Sequence, residues 1–522
     1  MKALLLFIII GMLNGCAIEQ EFIQVEPVIA QPINRAISPV NGGTLHVSMR
    51  NPQTLNPVLN TDPTIDLVLG LIFEDLFVLD QQLRPIPNLA ESLEFNEELR
   101  QATIVLRDDI FWADGTPITA TDVIFTIDLI RSNPTSLYHE TVYGILSVVA
   151  NSTRTITVTF RNDNVGGRYA YKFLFPVVPR HYYQGGFPRA QMNPLGSGPF
   201  KLYNHTLARD MMLVQNEYSF RDAHIEQIHV IFTPDLMTDL NALSGGLISA
   251  LKSGMSDFGS HSISVGEFGI TSVPTNNFDF IGFNFINPIL ADNRVRQAIS
   301  HAIISDDNIA LAYMGQGIKT ASPVNPLSYL YAEGLNYRTM DLDTARALLI
   351  EAGFTEIDTG GLGTIVVGVH EPLSFRILVN EENVERVALA NILRQNLENI
   401  GVLVDFMVLD FESYMSEVAS RNFDLLFAGA NLSLTPDLQF IFNNLSYNST
   451  VLNGLLYNIS SAQTSSCYKT ALKNLQRYLN DELPIISVAF RNSVLVTAQN
   501  VHGEFEPQLN GLYSNIGRWF IY

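Results

Sequence analysis

The search for chemistry starts at His139-Glu140. The pair opens the pattern His-Glu-x-x-His, which sets two imidazoles one helical turn apart around a zinc ion, but residue 143 is Tyr. Gly196-Ser197-Gly198 places a hydroxyl between two glycines, yet the turn that exposes a serine nucleophile needs Gly-x-Ser-x-Gly. A Gly-x-x-x-x-Gly-Lys loop to cradle phosphates does not occur. The 10 histidines are scattered, and His224 and His229, five apart, would leave a strand on opposite faces. Carboxylates abound, but no spacing singles out an acid–base pair. The two cysteines, Cys16 and Cys467, form neither a Cys-x-x-Cys pair nor a disulfide framework. The expectation is therefore no enzyme, no metal site and no cofactor.

Composition narrows the partners. The chain has 522 residues, 47% hydrophobic and 16% charged, enough for several cores. Its net charge is −21 and no dense Lys/Arg run appears, so nucleic acid, which demands a basic footprint, is excluded as a partner.

The amino terminus carries an address. Met1-Lys2 precede ALLLFIIIGML, 11 apolar residues, too short to span a bilayer but suited to a secretory signal. Leu13-Asn14-Gly15-Cys16 follows and resembles a bacterial lipoprotein cleavage box, with Asn14 its one departure. Residues 1–15 then read as a signal peptide and Cys16 as the lipidated residue. Residues 16–40, with Pro27, Pro32 and Pro39, read as a tether, because proline removes donors and blocks regular structure.

Next come the elements that must position any site. TLHVSM (44–49), ATIVLR (102–107) and RTITVTF (154–160) read as strands, and 64–78 as a helix. Asp114-Gly115 is a turn signal, and Thr119 with Asp122 three residues on is a capping pattern ahead of a helix at 120–131. Asn193-Pro-Leu-Gly-Ser-Gly-Pro199 breaks regular structure and suits a crossover. From 278 the period changes: strand FDFIGFNFI, a helix at 292–307, and a helix at 344–354 capped by Asp343 and stopped by Gly353. Then come SFRILVN, VERVALANILRQNLENIG, VLVDFMVLD, FESYMSEVAS and FDLLFAG, alternating strand and helix. Such alternation predicts an α/β lobe with largely parallel strands.

Several blocks then converge. GGTLHVSMRNPQTLNPV, IFEDLFVLDQQLRPIPNLAESLEF, IVLRDDIFWADGTPITATDVIFT, NPLGSGPFKL, IGFNFINPILADNRVRQAISHAI and MDLDTARALLIEAGF resemble, in order, the family 5 solute-binding proteins of bacterial ABC transporters, the oligopeptide- and dipeptide-binding lipoproteins. The segment from Glu385 through FDLLFAG continues the resemblance. It implies an α/β fold of the type II periplasmic-binding-protein kind, two hinged lobes with an extra inserted domain. The first lobe would comprise 41–77, 196–277 and 490–522, the inserted domain 78–195, and the second lobe 278–489. It also implies a monomer that captures oligopeptides by lobe closure and hands them to permease transmembrane subunits with cytoplasmic ATPases. Lipid at Cys16 would hold it on the outer face of the cytoplasmic membrane, or in the periplasm if the host has an outer membrane.

The resemblance also points to ligand contacts: Asn56, in the Thr54–Pro57 turn, Asn284 at a strand end, and the loop Gly429, Ala430, Asn431, Leu432 and Ser433. Relatives often grip the peptide amine with an Asp that falls here at Leu432, beside a Trp that falls at Gly429. Both are missing. Asp437 is the substitute available, and the expectation is a ligand not gripped by a free amino terminus in the usual way. A charge-assisted hydrogen bond is among the strongest contacts a site can offer, so this loss matters. Other ligands stay open: a nickel or haem chelate, an oligosaccharide, with only Trp112 and Trp519 but 19 Tyr for stacking, or a peptide pheromone sensed rather than imported.

Overall fold

The computed structural model describes residues 38–522 except 162–165, 186–191, 259–267, 304, 358–360, 367–368, 436–437 and 510. The signal peptide, Cys16, nearly all of the tether and Asp437 lie outside the described residues.

One 11-stranded sheet runs through the molecule. Its order is Leu403–Leu409, Ser374–Asn380, Leu425–Asn431, Phe268–Phe283, Ile485–Ala498, Ala250–Ser253, Thr44–Arg50, Gln227–Thr233, Asp210–Gln215 and Phe200–Thr206, with Gly317–Lys319 added beside Ile485–Ala498. Two of these strands are far longer than the rest. Phe268–Phe283 has 16 residues and Ile485–Ala498 has 14. At about 3.3 Å per residue the first extends about 50 Å, enough to cross from one lobe into the other. The two strands pair antiparallel, with register shifts between Val273 and Asn277 and between Asp279 and Phe280. At the first, the Thr275 hydroxyl donates to the Arg491 carbonyl, and the Asn277 N–H donates back to Thr275 Oγ1. Such irregularities bend a strand and sharpen its twist, which suits a hinge.

On the 374–431 side the chain alternates as its periodicity predicts. Ser374–Asn380 is parallel to Leu403–Leu409 and to Leu425–Asn431, while Phe268–Phe283 runs antiparallel to Leu425–Asn431 and to Ile485–Ala498, so the sheet there is mixed. Helix Val384–Asn399 covers one face with Leu389, Ala390, Leu393 and Leu397. The region 90–160 builds a separate four-stranded antiparallel sheet, ordered Ala90–Asn96, Gln101–Leu106, Thr155–Phe160 and Ile145–Ala150. Alternate residues of Gln101–Leu106 and Thr155–Phe160 are buried, as a one-sided sheet requires. The helix Ala120–Arg131 starts where expected: Thr119 N–H donates to Asp122 Oδ2 (2.9 Å), and Asp122 Oδ1 also accepts Arg180 N–H (2.8 Å). Asp114 Oδ1 accepts Thr116 N–H (2.9 Å), with Gly115 at φ +83°, so this acidic pair closes a turn and caps a helix.

Three expectations about elements need correction. The helix expected over 64–78 spans only Pro63–Leu69. Beyond Gly70 the carbonyls of Leu71 and Ile72 accept N–H groups from Phe200 and Gly198. A helix would have spent those carbonyls internally. The helix expected over 292–307 is two, Asn293–His301 and Asp306–Ala312, because Ser305 Oγ accepts Asn308 N–H (2.9 Å) and starts the second. The cap of Leu342–Glu351 is Asp341, whose Oδ1 accepts Thr344 N–H (3.0 Å), not Asp343.

Gly196-Ser197-Gly198 has a packing role. A Cβ at Gly196 would stand 1.9 Å from the Ile72 carbonyl oxygen, and one at Gly198 2.6 Å from that of Leu71. Backbone approaches this close exclude any side chain.

Candidate functional site

Open α/β sheets bind ligands in the crevice outside the carboxyl ends of their strands. Here the strand Leu425–Asn431 runs toward the register shift at 273–277: Phe283 pairs with Leu425, Gly429 with Asp279 and Asn431 with Asn277. Its carboxyl end, that of Ser374–Asn380 and the first turn of helix Val384–Asn399 therefore meet beside the register shift.

On one face of this strand end sits a charge cluster. Asp279 Oδ1 accepts Nε (3.0 Å) and Nη2 (2.8 Å) of Arg386. Oδ2 accepts the Tyr313 hydroxyl (2.9 Å) and lies 3.0 Å from Arg491 Nε, an ion pair without hydrogen-bond alignment. The Asp279 side chain is 3% exposed, Arg386 15% and Arg491 26%. Burial, and then the adjoining carboxylate, push the Tyr313 phenol well up, so it stays a neutral donor. Gly429 makes room: a Cβ there would lie 1.9 Å from Arg386 Nη2 and 2.3 Å from Asp279 Oδ1. At the neighbouring strand end, and by alternation on the other face, Asn380 Oδ1 accepts Glu382 N–H (3.1 Å), whereas its buried Nδ2 has no partner among the described residues.

On the opposite face lies a cavity, continuous with solvent, whose empty space with that solvent included is about 270 Å³. Leu83, Asn276, Asn325, Leu432, Ser433 and Phe490 are among its walls, and among the described residues no charged side chain lines it. Asn325 Nδ2 donates to the Thr275 carbonyl (3.0 Å) and Asn276 Oδ1 (3.1 Å), and Leu432 N–H donates to the Asn276 carbonyl (2.9 Å). Beside the cavity, Tyr329 N–H donates to the Gln82 carbonyl (3.0 Å) and the Arg84 guanidinium lies 4.9 Å from the Tyr329 ring centre. Tyr171 donates to the Leu83 carbonyl (3.2 Å). Residues near 83, near 276 and 490, and near 325 and 432 thus enclose one space. A larger cavity, about 340 Å³, has only residues between Ser300 and Ser487 around it. The smaller one is the better site because separate parts of the chain converge on it.

The expected contact residues divide. Leu432 and Ser433 line the cavity. Ala430 faces the same apolar side, paired with Phe278, while Gly429 and Asn431 face the arginines. Asn284 is not presented to the cavity: its Nδ2 donates to the carbonyls of Arg421 (3.0 Å) and Phe423 (2.8 Å), and its Oδ1 accepts Ile286 N–H (3.2 Å). Both amide protons are spent on holding the strand end. Asn56 is buried in a turn, with Oδ1 on Val58 N–H (3.0 Å) and its own N–H on Thr54 Oγ1 (3.1 Å). Both placements share one cause, since a short amide side chain next to free backbone groups satisfies them first. His229 Nε2 lies 3.2 Å from Asp210, and His224 Nδ1 lies 2.7 Å from Asn41; among the described residues no three His, Cys, Asp or Glu gather as metal ligands.

Sequence reasoning passed over Asp279, Arg386, Arg491, Asn276, Asn325 and Tyr329. Asp279 carried a signal. A charge inside the apolar run FDFIGF requires a buried counter-ion, and the sequence does not say which arginine supplies it.

The model of the bacterial extracellular solute-binding proteins, family 5, matches residues 84–452. The oligopeptide-binding protein AppA of Bacillus subtilis is 23% identical over 512 residues, covering 92% of each chain. Among solved structures, the ABC transporter substrate-binding protein CtaP of Listeria monocytogenes superposes with a TM-score of 0.73 at 21% identity, over 92% of this chain and 99% of that one. NikA of Brucella suis, in complex with Fe(III)-EDTA, gives 0.72 at 18% identity, over 92% of this chain and all of that one. These likenesses show a common fold of two lobes, the type II periplasmic-binding-protein kind.

Proposed function

The chain belongs to the family 5 extracellular solute-binding proteins of bacteria, and from that premise we propose that it captures oligopeptides between closing lobes for an ABC importer. The observation that carries the reading is the uncharged cavity beside the point where two long strands cross. Closure there lets a guest stabilise the shut state over the open one, which is the only way a ligand drives such a change. The neutral amide of Asn276 and the hydroxyls of Ser328 and Ser433 suit a peptide backbone, and the apolar walls suit varied side chains.

The boundaries belong to the same proposal: 41–77, 196–277 and 490–522 as first lobe, 78–195 as inserted domain, 278–489 as second lobe. The separate sheet of 90–160 and the register shift at 273–277 support them. The protein acts as a monomer, lipid-anchored at Cys16, and delivers its cargo to permease subunits coupled to cytoplasmic ATPases. It breaks no bond in the cargo.

A second reading, capture of a non-peptide solute, draws on the missing amine anchor and on relatives such as NikA with Fe(III)-EDTA. Native mass spectrometry of the purified protein separates the two. Co-purified peptide masses support the first, and one discrete chelate or sugar mass overturns it.

A further inference from the structure

We infer that His46 and His229 form a binding site for a divalent transition ion of the zinc kind, away from the site of solute capture. The strands that carry it contribute none of the described residues around the interlobe cavity. The two histidines are 183 residues apart, so no ligand spacing announces them. Strand pairing brings them together. Thr44–Arg50 runs parallel to Gln227–Thr233, with His46 directly opposite His229. Leu45, Val47, Ile228 and Val230 are buried on one face of these strands. Both imidazoles therefore leave the sheet on the other, partly exposed face.

Two distances carry the inference. His46 Nδ1 lies 3.3 Å from His229 Nδ1, with the ring planes 78° apart. Two nitrogens, each about 2.0–2.1 Å from one tetrahedral ion, stand about 3.3 Å apart. A direct hydrogen bond between the rings would be shorter, roughly 2.7–3.2 Å. The second distance fixes the tautomer. His229 Nε2 lies 3.2 Å from Asp210 Oδ2, which also meets Arg209 Nε at 3.0 Å. With its Nε2 proton donated to Asp210, His229 keeps the Nδ1 lone pair for a metal, and the carboxylate orients the ring. Asp210 stands on Asp210–Gln215, which pairs with Gln227–Thr233, so three neighbouring strands hold the arrangement. His46 needs only to carry its proton on Nε2 for both Nδ1 lone pairs to meet one ion. Imidazole nitrogen suits zinc, copper and nickel, whereas calcium and magnesium take oxygen. Two protein ligands leave the remaining positions to water, so the site is weaker than a closed four-ligand one.

The test titrates the purified full chain with zinc chloride by calorimetry. His46→Gln, His229→Gln and the double variant should all lose the same single equivalent of zinc, because one ion needs both rings. Asp210→Asn keeps both rings but orients His229 less well, and should weaken zinc binding about tenfold. No zinc binding by the wild type overturns the inference. So does a single variant that keeps the equivalent, or a double variant that loses twice what each single one loses. An Asp210→Asn protein with wild-type affinity overturns the orienting role. Should a variant fail to fold, the wild type decides by carbethoxylation of its histidines, read by mass spectrometry. Zinc should shield His46 and His229 and leave His181, 44% exposed, reactive; an unshielded pair refutes the site. Solute capture is read separately, by co-purified masses, so the failure of either proposal leaves the other standing.

Discussion

Gly429→Ala tests the construction of the site most directly. The added Cβ would lie 1.9 Å from Arg386 Nη2 and 2.7 Å from Arg386 Cζ, so the guanidinium must leave its place. Asp279 then loses the Nε and Nη2 bonds of 3.0 and 2.8 Å to its Oδ1. Each charge-assisted bond contributes about 1.5–3 kcal/mol. Oδ2 keeps Tyr313 and Arg491, so the cost falls short of the 3–5 kcal/mol, roughly, of stripping a buried ion of every partner. We expect a loss of about 3 kcal/mol, which for a lobe-sized unit lowers Tm by about 6–12 °C. The control is Gly454→Ala. Gly454 lies inside helix Thr450–Ser460 with nothing within 4 Å of its Cβ position, and alanine there should add about 0.5–1 kcal/mol. Urea denaturation of both variants should therefore shift midpoints in opposite directions. In an Arg386→Met background the Gly429 change should cost less, because the guanidinium it displaces is gone and only the 2.3 Å approach to Asp279 Oδ1 remains. A Gly429→Ala protein within about 0.5 kcal/mol of wild type, or an undiminished cost in the Arg386→Met background, would refute the packing argument.

Tyr329→Ala removes the ring under Arg84, a contact of about 1 kcal/mol between the two sides of the cavity. Ligand affinity should fall about fivefold and the radius of gyration in scattering should rise with ligand present; unchanged values would show that the ring does not favour closure. Asp66, buried beneath Tyr138, has its carboxyl pushed up to about 6 by burial, against which the Tyr138 and Asn60 hydrogen bonds pull down. A raised carboxyl pKa favours the folded state fully below the unfolded value near 4, and the gain is lost as pH rises through about 6. Asp66→Asn should therefore stabilise the protein at pH 7.5 by about 2 kcal/mol relative to pH 4, read by urea melts at both values; a pH-independent difference would sink this. Gly196→Ala puts a Cβ 1.9 Å from a backbone oxygen that cannot rotate away, so soluble yield should collapse or stability drop by about 3 kcal/mol, and a wild-type melt would contradict the close approach.

Much of the architecture was legible, and for a physical reason. Strand–helix alternation from 278 onward follows from burial periods of two and 3.6, which any sequence of this class displays. The caps at Thr119 and the turn at Asp114 are local chemistry within a few residues. What failed was non-local. An apolar run at 64–78 reads as helix until one knows that Phe200 and Gly198 claim the carbonyls of Leu71 and Ile72. Asn56 and Asn284 had the right residue type at plausible places, but whether an amide faces a ligand or a neighbouring backbone depends on which N–H lies within reach. The loop 429–433 was singled out by resemblance, and its division between two faces follows from strand alternation once the start of the strand is known.

The proposed hinge and the proposed site share residues, which would couple them. Phe268–Phe283 crosses the molecule, and four residues past the shift at Thr275 it carries Asp279 into the charge cluster. Ile485–Ala498 does the same in reverse, with Arg491 opposite Asn277 and its carbonyl bonded to the Thr275 hydroxyl. Asn276, in the irregular segment itself, binds Asn325 and the Leu432 N–H, both on the cavity wall. A rotation of the hinge strands at 273–277 therefore moves Arg491 relative to Arg386, which sits on a helix outside the crossing.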